Sequence, residues 1–300
     1  MLRSKEQCVI MNRHYCSDIG GAQVHFLILA IIFSSLISIV MRVGTYKVNN
    51  KLSMLAANYA TCFILAALVA GTDTLFPASP QLPDTLLLGL FNGFIFLMAF
   101  VLMQKSVKAN GVVLSTTFSK LGLLVPVIVS VAIFAESPTV LQIIGFALAV
   151  AAIILINPSE GEGRSSFLGL IILLIVCGSA DAMNKVYSEI GAAELSSQFL
   201  LYTFMSALIL CIGLVLRAKE KPGKYELLFG ILLGVPNYFS ARFALLSLSY
   251  LPAVIVYPTI SVMTILLVSL TGILAFKEKL KKQQWIALGI IIIAVALLNI

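Results

Sequence analysis

The chain has 300 residues, of which 60% are hydrophobic and 11% charged, with a mean hydropathy of +1.05 and a formal net charge of +7. Soluble domains carry about 25% charged residues, so this composition excludes an ordinary wetted surface and requires lipid around most of the exterior. The basic excess is spread over many connectors, which fits membrane orientation and lipid headgroups as partners and argues against nucleic acid.

In chain order, residues 1–23 are polar and mixed and read as an N-terminal tail. Ten apolar blocks follow: Val24–Met41, Leu52–Gly71, Thr85–Met103, Gly111–Phe134, Val140–Ile156, Phe167–Val186, Leu195–Leu216, Tyr225–Leu248, Ala253–Phe276 and Gln284–Leu298. Most approach the ~20 residues that carry a helix across ~30 Å of hydrocarbon. They are apolar on all sides, which rules out the alternating strands of a membrane β-barrel. The first block lacks a small-residue cleavage pattern and reads as a retained helix. Phe76–Pro83 holds three prolines and cannot continue a helix. Residues 157–166 form a short polar link between the two halves.

The halves repeat each other. Val112–Asn157 lies on Val254–Asn299 without a gap, so that Glu136 falls on Glu278, Gln142 on Gln284 and Asn157 on Asn299. Leu52, Ser53 and Tyr59 fall on Leu195, Ser196 and Tyr202, and Arg42 on Lys185. Gly89 and Gly93 fall on Gly230 and Gly234. A duplicated apolar chain is the sequence trace of a transporter built from two repeats around a central site. The domain expectation is therefore a tail over 1–23, a five-helix repeat over 24–157, a linker over 158–166 and a second repeat over 167–300. The matched glycine steps predict one type of close helix interface used twice.

If connectors alternate sides, one side collects Arg42, Lys47, Lys51, Lys105, Lys108, Arg164, Arg217, Lys219, Lys221, Lys224, Lys277, Lys279, Lys281 and Lys282, against Arg3, Lys5, Arg13 and Lys185 on the other. Positive charge stays cytoplasmic, which puts both termini outside the cell membrane. The five cysteines, Cys8, Cys16, Cys62, Cys177 and Cys211, make no CxxC or Cys/His cluster, so neither a metal site nor a disulfide framework is indicated. No cofactor motif is present.

The ten blocks in two halves, the endings ESPTVLQIIGFALAVAAIILIN and KEKLKKQQWIALGIIIIAVALLN, and the entry SYLPAVIVYPTISV to the ninth block resemble the drug/metabolite transporter superfamily in its EamA-like branch. The resemblance spans residues 24–299. It implies an all-α membrane fold of ten helices as two inverted five-helix repeats, a central cavity and movement of small organic solutes. It also implies cytoplasmic termini, opposite to the charge count. Small multidrug-resistance relatives carry a membrane-embedded Glu eight residues before a Lys. Here Ser34 precedes Arg42 and Cys177 precedes Lys185, so proton-for-cation exchange does not carry over.

Glu136 and Glu278, each just before a helix begins, read as acidic groups favoured by a helix N-terminus. Pro126, Pro236, Pro252 and Pro258 kink helices or open them onto a cavity. Lys120 is the sharpest candidate. It lies roughly 14 Å into its helix at 1.5 Å per residue, and a mid-bilayer lysine costs ~2.5–3.5 kcal/mol on insertion scales unless water or a partner reaches it. Arg242 and Asp181 fall at similar depth; they form either a buried ion pair or a substrate anchor with its supporting acid. Lys185 is near enough to a helix end to reach the surface. Asn58, Tyr59, Asn92, Tyr202, Asn237, Tyr238 and Tyr257 are interhelical hydrogen bonders or, where several converge, a binding site.

A secondary carrier of an amino acid, organic acid or related metabolite is the favoured reading, with export of drugs or toxic metabolites as the alternative. An integral-membrane enzyme lacks its acid–base constellation: the only histidines are His14 and His25. A channel lacks a ring of charges or carbonyls. The expected partners are a small solute and membrane lipid; a homodimer is compatible with the chain.

Overall fold

The computed structural model describes residues 15–44, 47–71, 75–110, 112–156, 167–219, 223–276 and 282–298. Among them the fold is all-helical. The helices are α1 (Tyr15–Gly44), α2 (Lys51–Ala70), α3 (Leu82–Asn110), α4 (Val112–Leu121), α5 (Leu124–Phe134), α6 (Val140–Ile156), α7 (Phe167–Ile190), α8 (Ser196–Ala218), α9 (Lys224–Leu248), α10 (Ala253–Phe276) and α11 (Lys282–Leu298). Seven of them are long and apolar enough to cross a membrane, and α4 with α5, α6 and α11 supply shorter apolar segments. The chain is a multi-pass membrane protein. Its outer surface is what lipid demands: Leu87, Ile133, Leu216 and Leu274 stand exposed.

Two expectations change. The stretch read as a tail is helical from Tyr15 onward, because α1 begins well before its apolar part. The fourth block, read as one helix, is broken at Gly122 and Leu123. Pro126 is the cause. It has no N–H to give to the carbonyl of Gly122, and its ring would collide with that carbonyl in a continuous helix. The Gly122 carbonyl turns instead to Val125 N–H at 2.9 Å, while Gly122 N–H and Leu123 N–H bond Ser119 and Lys120 carbonyls at 3.2 and 3.3 Å. The link over 157–166, Glu278 and the matched Asn157 and Asn299 lie outside the described residues.

The glycine steps do what small residues do in lipid, letting backbones approach where packing holds helices together. Gly89 and Gly93 seat α3 on α8, and Gly230 and Gly234 seat α9 on α2. A methyl added at Gly93 would stand 2.2 Å from the Thr203 carbonyl, and one at Gly230 2.4 Å from Ala57 Cβ. The same kind of interface is thus used twice, between exchanged partners. A core of α2, α3, α7, α8 and α9 side chains centres on Tyr59, Tyr202, Phe204 and Tyr238, and a second one joins α6, α10 and α11.

Candidate functional site

The break between α4 and α5 puts Lys120 in the last turn of α4. A cation there sits where the helix presents its unpaired carbonyls, the negative end of its dipole. The broken segment is held against α7 through a glycine–glycine contact. A methyl at Gly178 would lie 2.2 Å from the Gly122 carbonyl and 2.6 Å from Val125 Cγ2. No other residue fits there.

That contact brings Lys120 to the polar face of α7. Together Lys120, Ser119, Cys177, Asp181, Ser261 and Phe96 line a cavity of about 230 Å³, with Ala99, Leu123 and Ala180 completing the wall. Cys177 and Asp181 are one turn apart and share a helix face. Ser119 Oγ donates to Cys177 Sγ at 3.4 Å. The charges of Lys120 and Asp181 act on each other across this space. Among the described residues the ion pairs at contact distance belong to Lys185, so the two cavity charges face the space without closing on each other.

The remaining sequence candidates fall into other places. Tyr257 is buried beside the site, and its hydroxyl donates to the Asp181 carbonyl at 2.5 Å. Arg242 does not pair with Asp181 as the ion-pair reading had it. Its Nη1 donates to Ser197 Oγ at 3.0 Å on α8, and it lies beside the buried Tyr238 hydroxyl. Asp181 has Lys120 as its opposite charge because the α4 break swings that lysine onto α7. Asn237 Nδ2 donates to Asn58 Oδ1 at 3.2 Å across α9 and α2. Asn92 Nδ2 donates to Thr203 Oγ1 at 3.4 Å across α3 and α8. Tyr59 is buried against Cys62 and Cys211, and Tyr202 donates to the Leu75 carbonyl at 2.6 Å at the membrane edge. None of Arg242, Asn237, Tyr238, Asn92, Tyr59 or Tyr202 lines the cavity.

Two readings near the site need correction. Lys185 does not reach for the surface. It is buried and donates to Glu136 Oε1 at 2.5 Å and to Glu189 Oε1. The two carboxylates hold it inward more strongly than a solvent-facing rotamer would. Glu136 does serve a helix N-terminus, but not that of the helix following it. It accepts from Ala253 N–H, the first residue of α10, at 3.1 Å. Sequence reasoning missed Ser119, Cys177, Ser261 and Phe96 as cavity wall. The one-turn spacing of Cys177 and Asp181 was the available signal.

A cavity faced by opposite charges that do not close into an ion pair, walled by α3, α4, α7 and α10 of a multi-pass bundle, defines the class: a membrane protein with an internal polar site. Residues 22–157 and 168–300 each match the EamA-like transporter family, and the chain belongs to that family, whose members are membrane transporters of small solutes. The chain is similar to an uncharacterized protein of Haemophilus influenzae, 29% identical, over 89% of this chain and 94% of that one. A solved crystal structure superposes with a TM-score of 0.73 at 13% identity, over 92% of this chain and 96% of that chain, a likeness of fold.

Proposed function

We propose that this chain is a secondary carrier of a small organic solute in the plasma membrane, working by alternating access. Two inverted five-helix halves, residues 24–157 and 167–300, rock about the Lys120–Asp181 cavity. The observation that carries this reading is the pair of opposite charges facing one cavity without an ion pair. A charge held in a membrane interior needs water or a partner, and a solute bearing its own charge is such a partner. Support for the inverted arrangement comes from the exchanged packing: α3 on α8 answers α9 on α2, α7 on α3 answers α1 on α9, and α6 meets its own repeat mate α11.

Size and charge narrow the cargo. The cavity holds about eight waters' volume, below the ~300–1,000 Å³ of pockets for drug-sized ligands. That favours an amino acid, organic acid or related metabolite over a drug. A lysine beside a half-helix end suits a carboxylate, and Asp181 suits an amine or a hydroxyl. Membership of a transporter family supports a carrier over an enzyme.

The test is a melting screen of purified protein against amino acids, organic acids, sugar phosphates and nucleosides, since a ligand bound to the folded form raises its melting temperature. The rise should vanish in Lys120→Ala and Asp181→Asn and persist in Glu194→Gln, whose side chain is exposed and outside the cavity wall. Vesicles that move lipophilic cations but no carboxylate or amino-acid solute would refute the reading.

A further inference from the structure

On one side of the cavity, side chains of α7 and α10 reach toward each other at stepped positions. Asp181 and Ser261 line the cavity. One turn further along α7 and one turn back along α10 come Lys185 and Tyr257, and one turn beyond those come Glu189 and Ala253. At 1.5 Å per residue each rung is ~6 Å from the last. Tyr257 ties the second rung to the first by donating to the Asp181 carbonyl. The rung above is closed from the other half of the chain. Glu136, in the turn after α5, bonds Lys185 on α7 and Ala253 N–H on α10 with the same oxygen, Oε1.

We infer that Glu136, Lys185 and Glu189 form an ionic latch that seals this end of the cavity and must open for solute to pass. Glu136 comes from the first half, and Lys185, Glu189 and Ala253 from the second. The latch is therefore a bond between the two bodies that alternating access has to separate, and it rests on the carrier reading given above.

Three features mark it as a contact made to break rather than a permanent brace. Its members are near the bilayer edge, with the Glu189 side chain 39% exposed against 2% for Lys185, so water can reach the separated charges. The latch bonds of Glu136 all fall on Oε1, and its buried Oε2 bonds none of the latch partners, so the closed state uses one of two carboxylate oxygens. The lysine's ammonium lies over the Phe134 ring, 5.7 Å from its centroid, so an aromatic seat backs the ion pair without locking it by backbone packing. The bundle's backbone-to-backbone glycine contacts at Gly93 and Gly230 are of the opposite kind, with no group that water could replace.

Cys177 in the cavity wall is a reporter of access from this end. In a form of the full chain with Cys8, Cys16, Cys62 and Cys211 replaced by Ala, reconstituted in vesicles, a membrane-impermeant methanethiosulfonate is added from each side in turn. With Lys185 present, labelling from the latch side is slow. Lys185→Met should raise that rate by about tenfold or more, the scale of an ordinary coupling between two states. Lys185→Arg, which keeps both ion pairs, should stay slow, and Glu136→Gln should follow Lys185→Met. Equal rates for the Arg and Met forms, or a Met form as slow as the parent, overturn the latch. The readout is independent of solute: fast labelling with no transport of any solute class would leave the latch standing and sink the carrier, whereas transport with unchanged labelling would do the reverse.

Discussion

Replacing Gly178 by Ala tests the contact on which the site depends. The added methyl would lie 2.2 Å from the Gly122 carbonyl oxygen, 2.6 Å from Val125 Cγ2 and 2.7 Å from Val125 Cβ. Ordinary contacts between such atoms are ~3.5–4.0 Å, so α7 and the α4–α5 break have to part by more than an ångström. The obstacle is a backbone carbonyl already turned to Val125 N–H, and no side-chain rotation relieves it. Overpacking of this kind costs ~1–3 kcal/mol, which shifts a folding equilibrium by roughly five- to 150-fold at 1.4 kcal/mol per decade. The loss should appear as a lower melting temperature of purified protein in detergent. It should also weaken any ligand-induced rise, because Lys120 is carried away from Asp181 together with the break. A Gly178→Ala protein that melts with the parent and binds equally well would show that the two helices do not meet here.

Other outcomes follow from the same geometry. Gly213 in α8 has open space where a methyl would go, so Gly213→Ala should be neutral or stabilising by up to ~1 kcal/mol through helix propensity, read in the same melting assay. Ala135 ends α5 in the left-handed region at φ 53° and is exposed, so Ala135→Gly should relieve ~1 kcal/mol of strain with no packing lost. A melting temperature that falls would count against that end geometry. Burial raises the Glu136 carboxyl, but Lys185, the Ser130 hydroxyl beside it and Ala253 N–H together outweigh it and hold the group below the usual carboxylate value. Its folded value lies below its unfolded one, so the stabilisation is present above about pH 4.3 and is lost as pH falls through the depressed value. Melting curves from pH 7 to 3 should lose stability at the acid end, and Glu136→Gln should flatten that limb.

The parts of the fold carried by local physics were legible in the chain. Nine of the ten apolar blocks correspond to single helices, since hydrophobic length needs no tertiary information. The matched glycine steps named their interface, though not which helix would cover each step. Lys120 stood out because an interior ammonium is costly, and Asp181 for the same reason. Their meeting was not legible. It depends on where Pro126 breaks the helix and on which glycine of α7 receives the break, and Gly178 carries no mark in the sequence that separates it from the other glycines. Arg242 misled by depth. Equal depth on two helices says nothing about whether their faces meet, and Arg242 faces Ser197 on α8. Lys185 misled by its nearness to a helix end, because the carboxylates that hold it come from its own next turn and from the other half of the chain.

The contacts between the halves divide by what breaking them costs. Where α3 meets α8 and α9 meets α2, backbones touch through Gly89, Gly93, Gly230 and Gly234, and separating them would open voids that neither lipid nor water fills well. Around the cavity the contacts between halves are of another sort: Glu136 to Lys185 and to Ala253 N–H, and Ser119 to Cys177. Each of these groups can exchange a protein partner for water once the contact parts, since a hydrogen bond contributes about 0.5–1.5 kcal/mol beyond hydration and one to a charged group about 1.5–3 kcal/mol. The proposed carrier, which would open on one side without falling apart, needs that distribution. The glycine-packed helices, α7 against the α4–α5 break at Gly178 among them, would stay together, while the Glu136 turn meets Lys185 on α7 and Ala253 on α10 through bonds that solvent can replace.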